Sequence, residues 1–108
     1  GFIGCLLINR EDNQFVAVLQ CNQFTKTIVA LEVSPLYQKR GIASRLLELS
    51  VSEYGVKYLS VNKSNVSAIH LYIKHGWSVI RQDSSMLYME HQPQINKVKG
   101  KEVIYSKW

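Results

Sequence analysis

At Gly41 the hydrophobic pattern of the chain changes period, and that change constrains the fold more than any other feature of the sequence. Before it, residues 2–8, 15–21 and 27–33 are short apolar, β-branched runs, the pattern of strands. The first two flank the polar stretch Asn9-Arg10-Glu11-Asp12-Asn13, which predicts an antiparallel hairpin. The third stops at Ser34-Pro35, because proline has no N–H for a continuing ladder. After Gly41, Ala43, Leu46, Leu47, Ser50, Val51 and Tyr54 recur at helical spacing, with Arg45, Glu48 and Ser52 on the other side. Residues 41–54 therefore predict an amphipathic helix, closed by Gly55.

Residues 56–62 read as the next strand. A strand reached through a helix predicts a right-handed crossover and parallel pairing with residues 27–33. Ser64 and Asn65 are suited to cap a second helix over residues 68–74, which Gly76 ends. Residues 77–81 and 86–90 predict a hairpin turning at Asp83-Ser84-Ser85. The expected class is α/β (α+β): a mixed, mostly antiparallel sheet with one parallel step and two helices. At 108 residues and 46% hydrophobic content, one core is expected and two are not. Residues 1–92 are expected to form that domain. Residues 93–108 form a Lys-rich tail, in which Val103-Ile104-Tyr105 reads as an edge strand or a docked arm.

No apolar run approaches the roughly 18 residues of a membrane span, and charged residues make up 19% of the chain. A cytoplasmic protein with no membrane contact is expected. Cys5 and Cys21 lie in strand-like surroundings without metal-ligand spacing, so reduced, buried thiols are expected. The net charge of +5 suits a phosphate-bearing partner, a nucleotide cofactor or a nucleic acid, and equally suits simple solubility.

The stretch from Val33 to Ala43 joins a strand to the start of a helix. Amides in the first turn of a helix lack internal partners and carry the positive end of its dipole, so such a turn can hold an anion. Gly41 has no Cβ to keep a phosphate from the main chain, and Lys39, Arg40 and Arg45 add charge. An ordinary strand-to-helix connection is the other reading of the same residues. The stretch lacks both the two-glycine phosphate loop of nucleotide hydrolases and the three-glycine dinucleotide fingerprint.

Gln38-Lys39-Arg40-Gly41-Ile42-Ala43 resembles the Gln/Arg-x-x-Gly-x-Gly/Ala signature of the GNAT superfamily of N-acetyltransferases, with Val33-Ser34-Pro35 as its lead-in. A second segment, from Asn65 to Trp77, resembles the family's Asn-x-x-Ala-x-x-Leu-Tyr-x-x-x-Gly-Phe pattern, with Trp77 in the Phe position. The two motifs follow in the family's order and fall on the elements assigned from periodicity.

The resemblance implies acetyl-CoA as cosubstrate, an amine-bearing acceptor, and direct attack of the amine on the thioester in a ternary complex; no metal is expected, because none of the histidines has a ligand partner at suitable spacing. It places the coenzyme diphosphate on the amides of Gln38, Lys39, Arg40, Gly41, Ile42 and Ala43, with Ser44 following. The pantetheine arm would lie along Leu31 and Val33 like an added strand, and Asn65 would touch it. Tyr72 corresponds to the phenol near the sulfur and is the candidate acid for the departing thiolate. The Val33 N–H is the candidate oxyanion donor.

Glu32 is the candidate base, with a solvated strand acid as the other reading. Ser60 stands where relatives that acetylate protein amino termini carry a glutamate. His70 and Lys74 are expected in solvent, His75 at a helix C-terminus, and Trp77, Met86 and Tyr88 as strand and core residues. Family members begin with a strand and helices ahead of the region that starts here at Gly1. The chain is accordingly expected to be a fragment of a longer enzyme, or a minimal version that self-associates through the strand at residues 2–8 or through the tail. The alternatives to an enzyme are a CoA-binding regulatory module and an RNA-binding basic domain. The latter ranks lower because no paired aromatic stacking motif is present.

Overall fold

The computed structural model of the chain describes residues 1–92. The tail beyond, including the expected edge strand at Val103-Ile104-Tyr105, lies outside the described residues. The elements run β1 (Phe2–Ile8), β2 (Phe15–Asn22), β3 (Thr27–Val33), a 3-10 turn (Pro35–Tyr37), α1 (Ile42–Ser52), β4 (Tyr58–Asn62), α2 (Val66–Lys74), β5 (Trp77–Gln82) and β6 (Met86–His91).

One six-stranded sheet has the order β1-β2-β3-β4-β6-β5. Every pairing is antiparallel except β3 with β4, so the mixed sheet with one parallel step is present. The last strand inserts between β4 and β5 as a result: Leu59 faces Met89, and Met89 faces Val79.

The loops explain the boundaries. Asn9 and Asp12 accept from the Glu11 and Gln14 amides at 2.8 and 3.0 Å, and Asn13 takes a positive φ of 59°, which asparagine tolerates better than most residues. Asn22 accepts from the Phe24 and Thr25 amides, which turns β2 into β3. Strand β4 starts two residues later than the periodicity predicts. The Val56 N–H donates to the Ser50 carbonyl at 3.0 Å, so that residue still belongs to the end of α1, and its buried side chain fills the core.

Strand alternation sends Ala17, Leu19 and Cys21 of β2, Leu59 and Val61 of β4, and Met89 of β6 to one face, where they meet Leu46 and Leu47 of α1 and Tyr72 of α2. Ser50, fully buried on α1, donates to the Leu47 carbonyl at 2.6 Å. The predicted inner face of α1 is therefore the packed one, and both helices cover the same side of the sheet. The other side of β1 is open, with Phe2 and Leu6 65% and 63% exposed.

Cys5 and Cys21 are both free thiols. The hairpin register sets Cys5 opposite Leu19 and Ile3 opposite Cys21, so the two cysteines are diagonal neighbours. Burial, and then the neighbouring Cys5, push the Cys21 thiol up to about 11, which leaves it a poor nucleophile.

Candidate active site

The turn after β3 is built from its own side chains. Ser34 caps the 3-10 turn by accepting from the Leu36 amide, and proline at its first position supplies the required φ. Gln38 Nε2 donates to the Val33 carbonyl at 3.1 Å. Arg40 donates to the Leu36 carbonyl at 3.3 Å, and its guanidinium stands 5.0 Å from the centroid of the Tyr37 ring. Asn9 Nδ2 donates to the Tyr37 hydroxyl at 2.7 Å, which ties the turn to the β1–β2 loop. Gln38 and Arg40 thus brace the loop with their side chains, and their contribution to an anion site is through the backbone.

Gly41 precedes α1 with φ +81° and offers no side-chain cap, so the first amides of the helix are left for an outside acceptor. Lys39 also takes a positive φ, 65°. A Cβ built on Gly41 would meet nothing within 4 Å. The glycine is needed for its left-handed backbone, and the space its side chain would occupy is open. Beside this turn lies a cavity of about 220 Å³ lined by Val33, Tyr37, Gln38, Lys39, Gly41, Ile42, Ala43, Ser44 and Leu71. Tyr37 and Leu71 were not foreseen among these. Tyr37 follows the Ser-Pro lead-in and Leu71 precedes the motif tyrosine, so both could have been found by reading the neighbours of each motif.

Next to the cavity the sheet opens. Strands β3 and β4 share one pair of Cα partners, Thr27 and Tyr58, and no further ladder pair joins them among the described residues. The Ser34 N–H bonds to Val16 on the β2 side. By strand alternation the N–H and C=O of Val33 point the other way, into the gap toward β4. Leu31 and Val33 pack against the core face, while Glu32 between them is exposed on the opposite face. Glu32 is therefore not brought together with Tyr72, from which the sheet separates it.

On α2, Asn65 accepts from the Ala68 amide at 3.4 Å and caps the helix, leaving its amide NH₂ free of that duty. Ala68 and Leu71 pack against the core, and Tyr72 is 9% exposed with its ring centroid 6.5 Å from that of Trp77. Burial raises the Tyr72 pKa above the ordinary phenol value. His70 and Lys74 are exposed, as expected.

His75 does more than end α2. Its Nε2 lies 3.0 Å from Ser44 Oγ, and its Nδ1 lies 3.7 Å from Glu48 Oε2. This contact spans 31 positions, and no local pattern in either helix encodes it. Ser44, His75 and Glu48 follow the order of a nucleophile relay, but 3.7 Å exceeds hydrogen-bond range, and Ser44 lines the turn cavity at the first turn of α1.

Ser60 is exposed on β4 and lines, with Thr27, Tyr58 and Tyr88, a hollow of about 310 Å³. No group of three His, Cys, Asp or Glu side chains arranged to hold a metal occurs among the described residues. Among them, too, no helix is long and apolar enough to cross a membrane.

Residues 2–77 match the model of a family described as the Acetyltransferase (GNAT) family. A spermidine N(1)-acetyltransferase of Escherichia coli (strain K12) is 43% identical over 54 residues, amounting to 44% of this chain and 28% of that protein. Only that fraction of the relative's length is spanned. Among solved structures, the ribosomal-protein-S18-alanine N-acetyltransferase of Escherichia coli is similar with a TM-score of 0.67 and 21% identity, over 91% of this chain and 75% of that one. The paia N-acetyltransferase of Thermoplasma acidophilum, in complex with coenzyme A, is similar with a TM-score of 0.63 and 21% identity, over 85% of this chain and 60% of that one. At these identities the structural likeness is one of fold. The family match covers both motifs and the strand, turn and helix that carry the first of them, and the chain belongs to the GNAT acetyltransferase family.

Proposed function

We propose that the chain is the coenzyme-binding part of an N-acetyltransferase that uses acetyl-CoA, within one domain at residues 1–92. The observation that carries the reading is the conjunction of an uncapped helix start at Gly41 with a gap between β3 and β4. The first-turn amides suit a diphosphate and the free edge of β3 suits an extended, amide-bearing arm. The cavity at the turn, and the open space where a Gly41 side chain would stand, fit such a ligand. Bound acetyl-CoA supplies the activated thioester carbonyl.

The protein's own groups then have separable tasks. Lys39, Arg40, Gly41, Ile42, Ala43 and Ser44 hold the diphosphate, mainly through main-chain donors. Leu31 and Val33 hold the arm, and the Val33 N–H, pointing into the gap, is the donor for a developing oxyanion. The Asn65 amide reaches the arm from α2. Tyr72, a phenol whose pKa burial raises further above neutrality, gives its proton to the departing thiolate. The amine must lose a proton before attack. Glu32 serves this only through solvent, since it faces the other side of the sheet. A polyamine is the first acceptor to test, on the strength of the identity to the spermidine enzyme. The open outer strand β1, with Phe2 and Leu6 exposed, supports self-association with a second copy, and a monomer that still acetylates excludes it.

Calorimetric titration with acetyl-CoA, followed by thiol-release assays over a panel of amines, tests the reading. Binding with amine-dependent thiol release is expected. Binding without release for any amine would leave a regulatory coenzyme-binding module, and salt-sensitive RNA retention with no coenzyme affinity would favour the nucleic-acid alternative.

A further inference from the structure

The contact between His75 and Ser44 has a consequence for the turn it adjoins. A serine hydroxyl has one proton to give. If the His75 nitrogen accepts that proton, the hydroxyl presents only lone pairs to the cavity it lines, and lone pairs repel a phosphate oxygen. If His75 donates instead, the hydroxyl proton is released toward the cavity. The neutral ring donates to Ser44 only as its Nε2–H tautomer, which the Glu48 carboxylate beside a bare Nδ1 disfavours, whereas the imidazolium form can only donate, since both of its ring nitrogens carry hydrogen. Its Nδ1 then faces Glu48 at 3.7 Å and its Nε2 donates to Ser44 across 3.0 Å.

We infer that His75 is a positioning residue for the coenzyme diphosphate, which in its protonated form turns the Ser44 hydroxyl into a phosphate donor and makes coenzyme binding take up a proton. This rests on the coenzyme reading given above. It extends that reading by adding a residue that lies outside the signature loop and reaches the diphosphate through another side chain.

The surroundings of His75 permit the switch. From α1 it is faced by Ser44 and the Glu48 carboxylate. Lys74 precedes it on α2. From β6 it is joined by His91, in the wall of a shared cavity. The cavity, of about 280 Å³ and lined by Glu48, Ser52, Lys74, His75, Trp77 and His91 among others, opens beside His75. The ring is 18% exposed and Glu48 60%, so the ion pair alone contributes little. The larger effect is on the hydroxyl that meets the ligand.

The test is calorimetric titration of CoA into the wild-type chain, His75→Gln and His75→Leu, between about pH 6 and pH 8. Glutamine can donate to Ser44 at every pH, and leucine at none. Titration of the coenzyme's own phosphate affects all three proteins alike, so the difference between their slopes isolates His75. Wild-type affinity is expected to fall, relative to His75→Gln, by about fivefold as pH rises across that window, the scale of one added charge at this range. Repeating the titration in buffers of different ionisation enthalpy is expected to show proton uptake by the wild type in excess of both variants. Leucine should weaken binding at every pH, and glutamine should restore it without the slope. Equal slopes in the wild type and His75→Gln, with CoA bound by both, overturn the role of His75 alone. Absence of CoA binding by the wild type at any pH overturns the coenzyme reading and this inference with it.

Discussion

Replacing Gly41 with alanine separates the two things a glycine can do at the mouth of a helix. The residue holds φ +81°, and a Cβ there meets no atom of the protein within 4 Å. The fold therefore loses only what left-handed backbone costs an L-residue, about 1–2 kcal/mol. Gly55, which follows α1 at φ +66° with its own Cβ position equally empty, supplies a matched control. Gly55→Ala carries the same strain at the far end of the same helix. Both variants should lower the unfolding midpoint by a similar amount, on the order of 5–10 °C for a domain of this size, as read by circular dichroism. Only the Gly41 methyl stands in the open space beside the first-turn amides. Keeping a phosphate oxygen from one such charge-assisted bond costs about 1.5–3 kcal/mol, or roughly tenfold to a hundredfold in affinity. Calorimetry with CoA well below either midpoint should show that loss for Gly41→Ala and near wild-type binding for Gly55→Ala. If both bind like the wild type, or both lose affinity equally, the turn does not act as the phosphate cradle.

Three further outcomes follow from single residues. Tyr72→Phe should lower kcat by about a hundredfold or more while leaving CoA affinity within about twofold; steady-state thiol release set beside calorimetry reads the two effects, and unchanged turnover removes the phenol from the acid role. Asp83 accepts from the Ser85 and Met86 amides and the Tyr88 hydroxyl at 2.8–2.9 Å, and these bonds, backbone first, hold its carboxyl down to about 2 from 3.8. Its contribution to the β5–β6 hairpin is therefore complete above the unfolded value and lost as pH falls from 3.8 toward 2, so urea midpoints should drop across that window and Asp83→Asn should flatten the drop. A Cβ on Gly4 would run into the carbonyl oxygen of Leu19 on the neighbouring strand, so Gly4→Ala must push β1 from β2 and should destabilise the fold by about 2 kcal/mol; denaturant unfolding at wild-type stability would show that the hairpin yields without strain.

What the sequence made legible was whatever a local period or cap dictates. The stripe from Ala43 to Tyr54 identified the packed face of α1, and Asn65 identified the start of α2, because both depend on residues within a few turns. The position of β6 between β4 and β5 was not legible. It is decided by which sheet edge a hairpin finds, and nothing in Met86 to His91 encodes the partner. The late start of β4 was hidden because Val56 is apolar in either role, and only its bond to Ser50 tells that it closes a helix. At the site, the two motifs located the turn and the helix that flank the cavity, but not the uses of their side chains. Gln38 and Arg40 spend their donors on the loop, a choice made by the 3-10 turn before them. Glu32 is adjacent to Val33 in sequence and on the opposite face in space, which follows from strand alternation once the buried neighbour is known. The pairing of His75 with Ser44 depends on how α1 and α2 cross, and no pattern within either helix carries that.

In the proposed reading, main-chain amides at the start of α1 hold the diphosphate of a coenzyme whose arm runs along the edge of β3 that faces β4. A crystal structure of the chain with CoA tests it most directly. The diphosphate is expected within hydrogen-bond distance of the amides from Lys39 to Ser44, with the arm paired to Leu31 and Val33 in the gap beside β4. A diphosphate bound elsewhere on the protein, with that turn holding only its own Gln38 and Arg40 contacts, would contradict it.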